Sequence, residues 1–200
     1  KGKLMQGISN VWKAVSTKTT HPILSCIFIE AENGNIKLTA NDMEIGIESY
    51  VEGTVIEEGK VAIEAKLLSD IVRKLPDSEI HMETNEDFKT TIKCEKSLFT
   101  IAGKSGEDFS SLPVVEKSKF ITISQFTLRE IINQTIFSIS DSEYNNVMTG
   151  ELFEVSNNRL RVVAIDGHRI AIRNVELKNE SEDVKVIVPG KALSYISKIV

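Results

Sequence analysis

Three side chains that could do chemistry stand within four residues of one another: Asp166, His168 and Arg169, in the segment Val163-Ala164-Ile165-Asp166-Gly167-His168-Arg169-Ile170-Ala171. A histidine two residues from an aspartate where a strand meets a turn could act as a general base or as part of a metal site, with the arginine beside them for a small metabolite. The rest of such a site is missing from the sequence. His21 and His81 have no ligand spacing to His168, no glycine-rich phosphate loop occurs, and Ser194 and Ser197 lack the strained elbow of a hydrolase. A structural reading fits better: Asp166 caps backbone amides of a tight turn and Gly167 supplies its positive φ. No catalytic residue, metal ligand or cofactor is assigned. A small-molecule enzyme using His168, Asp166 and Arg169 stands as the alternative reading.

The elements that must hold this segment come from a repeat. Leu38-Thr39-Ala40-Asn41-Asp42-Met43-Glu44-Ile45-Gly46 is its weaker twin, with Met43 and Glu44 in place of Gly167 and His168. Leu128, Ile132, Ile139 and Ser140 each lie 124 positions after Leu4, Ile8, Val15 and Ser16. Ile36 to Asp42 recurs as Leu160 to Asp166 at the same offset, after the turn signals Asn33-Gly34 and Asn157-Asn158. Ile63 to Ile71 recurs as Val188 to Ile196 at an offset of 125, one residue having been inserted.

Each unit therefore reads as helix, four strands, helix, an α+β organisation of tandem repeated domains. Periodicity predicts helices over 4–17, 66–75, 125–140 and 190–200, and strands over Ile23–Glu30, Ile36–Ala40, Ile45–Val51 and Val61–Ile63 in the first unit. Pro76-Asp77 stops the second helix, and a meander follows over Glu79–Glu83, Thr90–Cys94 and Leu98–Ala102. The domain boundaries follow: 1–113, an extended linker over 114–118, and 119–200. The chain opens without an initiator Met and stops inside a helix, so a longer natural protein is expected, roughly 370 residues if a third copy of about 124 follows.

With 41% hydrophobic residues the chain can build a core, and no apolar run approaches the roughly 18 residues of a membrane span. Cys26 and Cys94 lie in alternating apolar runs and read as buried, reduced thiols of a soluble cytoplasmic protein. The net charge of −5 and pI of about 5.4 point away from nucleic acid, but the distribution does not. The four predicted helices carry Lys13, Lys66, Arg73, Lys74, Arg129, Lys191 and Lys198 against Asp70 and Glu130, a surplus of five, leaving −10 for the remainder. Lys66 and Arg73 stand seven apart on one helical face, and Lys191 and Lys198 repeat that spacing. Solvated helix faces with snorkelling lysines would look the same. Repetition of the face in both copies favours a surface that meets phosphates without reading bases.

Four stretches carry a family resemblance: Val163 to Ala171 with its Asp-Gly-His-Arg, Val186-Ile187-Val188-Pro189-Gly190-Lys191, His21-Pro22-Ile23-Leu24, and Asp108-Phe109-Ser110-Ser111-Leu112-Pro113. The chain resembles the bacterial DNA polymerase III beta subunit family, the sliding clamps, in collinear order along its whole length. The resemblance implies the DNA-clamp fold: outer antiparallel sheets and two inner helices per domain, three domains per subunit, and a ring of two head-to-tail subunits around duplex DNA. This chain would hold the first domain and most of the second, with the third absent. The implied function is a non-catalytic processivity factor that tethers the replicative DNA polymerase. Its implied partners are double-stranded DNA, the polymerase III catalytic subunit, the clamp loader and other clamp-binding peptides.

Residues follow from the same resemblance. Lys18, Lys66 and Arg73 match DNA-facing basic positions, and the helix charge pattern adds Lys13, Lys191 and Lys198 to the candidate DNA-binding residues. Ile165, Gly167, His168, Arg169 and Ile170 match the wall of a peptide groove, and Met148 its floor, where a flexible thioether suits differing apolar anchors. At Ile165 the family commonly has a small hydroxyl residue, so the pocket here is narrower or drier. Phe99 and Ile101 match an apolar pair at the subunit contact; two positions apart on one strand face, they read equally as ordinary core.

Overall fold

The computed structural model describes residues 1–16, 21–109, 112–113, 120–141, 147–178 and 182–199. Lys18, the expected linker 114–118 and most of the loop Asp141 to Val147 lie outside the described residues. The chain divides into two units, Lys1–Pro113 and Val114–Val200.

In the first unit α1 (Gly2–Val11) leads through tighter turns at Trp12–Ala14 and Pro22–Ser25 into β1 (Cys26–Glu32), β2 (Asn35–Asn41), β3 (Gly46–Val51) and β4 (Gly59–Glu64). Then come α2 (Ala65–Lys74), β5 (His81–Thr84), β6 (Lys89–Cys94) and β7 (Ser97–Lys104). The strands form one antiparallel sheet in the order β3-β2-β1-β4-β7-β6-β5. Asn33 and Gly34 both take positive φ, 51° and 74°, the two-residue turn whose twist matches that of the strands it joins. Ile8 and Val11 of α1 and Leu68 and Val72 of α2 pack with Ile27, Leu38, Ile63 and Ile92 of the sheet into one core. Gly7 lets α1 approach closely, since a Cβ there would meet Val51 Cγ2 at 2.5 Å.

The second unit runs α3 (Gln125–Thr135), β8 (Gly150–Ser156), β9 (Arg159–Ile165), β10 (Ile170–Glu176), β11 (Val184–Pro189) and α4 (Gly190–Ile199), with the sheet ordered β10-β9-β8-β11. Ser124 caps α3 by accepting a hydrogen bond from Thr127 N at 3.1 Å. Ile131, Ile132 and Leu193 close over Phe153, Val155, Leu160 and Val162. The strand registers reproduce the repeat: Phe28 faces Thr39 where Leu152 faces Val163, and Ile29 faces Val61 where Phe153 faces Val186. The offset steps from 124 to 125 between the third and fourth strands of each unit, which locates the inserted residue there. One core position differs sharply. Ile27 is fully buried on β1, and its equivalent on β8 is Glu151, also fully buried.

Hydrogen bonds outside the predicted elements shorten three of them. The first helix ends by Ala14, before its expected end at 17, because Val15 is extended and Ser16 N donates to Leu24 O. The strand expected from Ile23 begins at Cys26, since Pro22 starts a helical turn closed by Ser25 Oγ donating to Pro22 O. The third helix stops at Thr135, followed by a tighter turn over Ile136–Ser138, and Ser140 N is taken by Met148 O at 2.8 Å.

Candidate functional site

The turn between β9 and β10 is shaped by one carboxylate. Asp166 Oδ1 accepts from His168 N at 2.9 Å and Arg169 N at 3.0 Å, while Oδ2 accepts from Arg169 Nε at 2.7 Å. Gly167 takes φ +88° between them. The His168 backbone donor, with further donors from Arg169 and its positive charge, holds the Asp166 carboxyl below the usual carboxylate range. An acceptor so fully engaged is poorly placed to orient His168 as a base. Among the described residues, no cluster of three or more His, Cys, Asp or Glu could hold a metal ion. The Arg169 guanidinium also lies 5.8 Å from the Phe137 ring centroid, so it is held from two sides.

The first unit builds the same turn with different side chains. Asp42 Oδ1 accepts from Glu44 N at 3.0 Å and Ile45 N at 2.8 Å, and Met43 takes φ +75° where the second unit has glycine. The aspartate therefore belongs to the scaffold. What distinguishes the second copy is the Gly167-His168-Arg169 surface, all of it exposed, beside an apolar patch. Ile170 is 60% exposed and sits opposite half-buried Ile165. Behind it, Ile172, Val163, Leu152 and Ile187 form a row straight across the outward face of the sheet. Met148 is half-buried just before β8, fixed by its carbonyl bond from Ser140 N.

The basic residues divide. Lys66 and Arg73 are exposed on α2, whose opposite face buries Leu68 and Val72; Arg73 also reaches Ser69 Oγ at 3.4 Å and Asp70 at 3.8 Å. Lys191 and Lys198 are exposed on α4, whose buried residues are Gly190 and Leu193. Lys13 departs from expectation: it lies half-buried on the turn after α1, because that helix has already ended. On β7, Ile101 is 7% exposed and part of the core, whereas Phe99 on the same face is 40% exposed opposite buried Ile92. β4 pairs with β7 only at Lys104 and Gly103, so among the described residues Ser97 to Ala102 has no strand partner on that side.

Family models match both units, residues 1–113 as the DNA polymerase III beta subunit N-terminal domain and residues 122–200 as its central domain. The chain belongs to the DNA polymerase III beta subunit family. The beta sliding clamp of Halalkalibacterium halodurans is 36% identical over 206 residues, covering 98% of this chain and 54% of that protein. That of Staphylococcus epidermidis is 39% identical over 200 residues, covering 96% and 53%. A crystal structure from Eubacterium rectale, assigned as a DNA polymerase III beta subunit, is 56% identical with a TM-score of 0.95 over 100% of this chain and 55% of that one. The Bacillus subtilis DNA polymerase sliding clamp is 33% identical with a TM-score of 0.94, covering 100% and 55%. The chain thus spans about half the length of the curated relatives it matches, and its sheets and helices are those of the clamp fold. The residue that sequence reasoning missed is Glu151. The repeat itself carried the signal, a carboxyl set against Ile27 in an otherwise apolar strand.

Proposed function

We propose that the full-length protein is a sliding clamp: a non-catalytic ring that encircles duplex DNA and tethers the replicative polymerase for processive synthesis. The observation that carries this reading is the repeated pair of exposed cations, Lys66 and Arg73 on α2 and Lys191 and Lys198 on α4, in the two units of one family member. Helices bearing cations at equivalent positions offer phosphates a sequence-independent surface, and an acidic remainder repels DNA from elsewhere on the protein. Encirclement supplies retention, so weak and salt-sensitive contacts suffice and permit sliding.

In this reading the protein works in the cytoplasm as a homodimer, with Phe99 and the half-paired edge of β7 at the subunit contact. Ile165, Gly167, His168, Arg169, Ile170 and Met148 form one wall and the floor of a groove for the polymerase catalytic subunit, the clamp loader and other peptide-bearing partners. Apolar Ile165 and Ile170 take apolar anchors of the peptide, while Arg169, pre-ordered by Asp166 and Phe137, meets its polar backbone or carboxylates.

The test uses the full-length protein loaded onto closed circular DNA. It should remain bound until the circle is cut and then slide off. Loss from closed circles as fast as from linear DNA overturns the reading. The Lys66→Glu, Arg73→Glu double variant should weaken binding alike for all sequences and flatten the salt dependence by about one unit of slope per cation removed.

A further inference from the structure

The second unit also buries a polar pair, Glu151 on β8 and Thr135 at the end of α3. Glu151 and Thr135 are fully buried, and Ser138 Oγ and Glu151 Oε1 have no hydrogen-bond partner. Thr135 Oγ1 lies 2.9 Å from Glu151 Oε2 and 2.8 Å from Ile131 O. A hydroxyl has one hydrogen to give and two lone pairs to receive with. If the carboxyl were ionised, both neighbours of that hydroxyl would be acceptors. One of the two short contacts would then lack a proton, and a buried charge would stand with one oxygen bare. A neutral acid removes both faults: its O–H donates to Thr135 Oγ1, whose own hydrogen goes to Ile131 O.

Charges around the cluster offer no alternative. Glu154 and Lys185 pair with each other at 3.4 Å, on strand positions that alternate with Glu151. Arg129 on α3, Arg159 and Arg161 on β9, Arg173 on β10, and Lys191 and Lys198 on α4 are exposed; Glu130 is half-buried on α3. Only burial, opposed by the Thr135 hydroxyl, acts on the carboxyl.

Thr135 ends α3, and the turn Ile136–Ser138 that follows carries Phe137 under Arg169 before Ser140 N reaches Met148 O. We infer that Glu151 is a positioning residue of the groove, a neutral carboxylic acid whose hydrogen bond to Thr135 fixes the turn that seats Phe137 against Arg169 and leads to the bond of Ser140 N with Met148 O. Ionisation of Glu151 removes its O–H, leaves Thr135 one hydrogen for two acceptors, Glu151 Oε2 and Ile131 O, and so loosens the turn. The inference rests on the groove reading for its meaning to partners, but not for its test.

The test is a pH titration of the full-length protein followed by NMR. It reads the Glu151 carboxyl carbon, the Met148 methyl and the Phe137 ring. The Glu151 carbon should titrate near pH 7 rather than in the ordinary carboxylate range, and the Met148 and Phe137 signals should share its midpoint. In Glu151→Gln, which keeps a donor for Thr135 at every pH, those two signals should lose that midpoint. An ordinary carboxylate midpoint for Glu151 in the unmodified protein overturns the inference. So does an unchanged Met148 and Phe137 titration in the glutamine variant. Neither measurement needs a bound peptide, so failure of the groove reading would appear separately, as absence of peptide binding.

Discussion

Replacing Glu151 by isoleucine copies into the second unit what the first already has at Ile27, and its effect on stability can be worked from burial. Desolvation pushes the folded-state carboxyl from 4.5 up to about 7. A pKa raised on folding means that the native state binds the proton more tightly than the unfolded chain does. The contribution is therefore fully present below the unfolded pKa and lost as pH rises through the folded one. At about 1.4 kcal/mol per pKa unit, the second unit should lose about 3 kcal/mol between pH 4.5 and the plateau above 7. Isoleucine has no proton to lose, leaves Thr135 bonded to Ile131 O, and removes the bare Oε1. Glu151→Ile should accordingly be more stable than the parent at pH 8 by about 2–3 kcal/mol, with the advantage shrinking towards pH 4.5. Urea unfolding of both proteins across that range measures it. Parallel pH curves for parent and variant would refute the reasoning, because they would mean that the carboxyl reaches water in the folded state.

Two further outcomes concern the first unit. Gly7→Ala gains helix propensity in α1 but drives a Cβ into Val51 Cγ2, a stiff branched side chain, so net destabilisation of about 1–3 kcal/mol is expected in thermal or denaturant unfolding. Met43→Gly relieves a non-glycine φ of +75° at a side chain that is 70% exposed, and should stabilise the unit by up to about 1 kcal/mol; a measurable loss of stability would show that Met43 packs more than its exposure suggests.

The parts of the fold legible in the sequence were those set by local chemistry. Asn33-Gly34 and Asn157-Asn158 specify their turns because these residues accept positive φ cheaply, and the strand registers then follow from alternation. Asp166 and Gly167 announced a capped turn for the same reason. What stayed hidden depends on partners distant in sequence. Nothing near Val15 or Ser140 says that a backbone amide will leave a helix for Leu24 O or Met148 O. Ile101 and Phe99 are equally apolar and share one face of β7, and only the packing around them makes one core and leaves the other open. Lys13 reads as helical in the sequence because apolar periodicity runs on past the point where the helix stops.

The aspartate-centred turn separates what must be kept from what can be changed. In both copies one carboxylate oxygen, Asp42 Oδ1 or Asp166 Oδ1, accepts from the backbone amides of the residues two and three places onward, which every amino acid but proline supplies. The backbone grip thereby leaves the side chains at those positions free to differ between the two units. One copy settled on Glu44 and Ile45, the other on His168 and Arg169. A single carboxylate thus serves in both units as a common mount that holds the turn whatever side chains it displays.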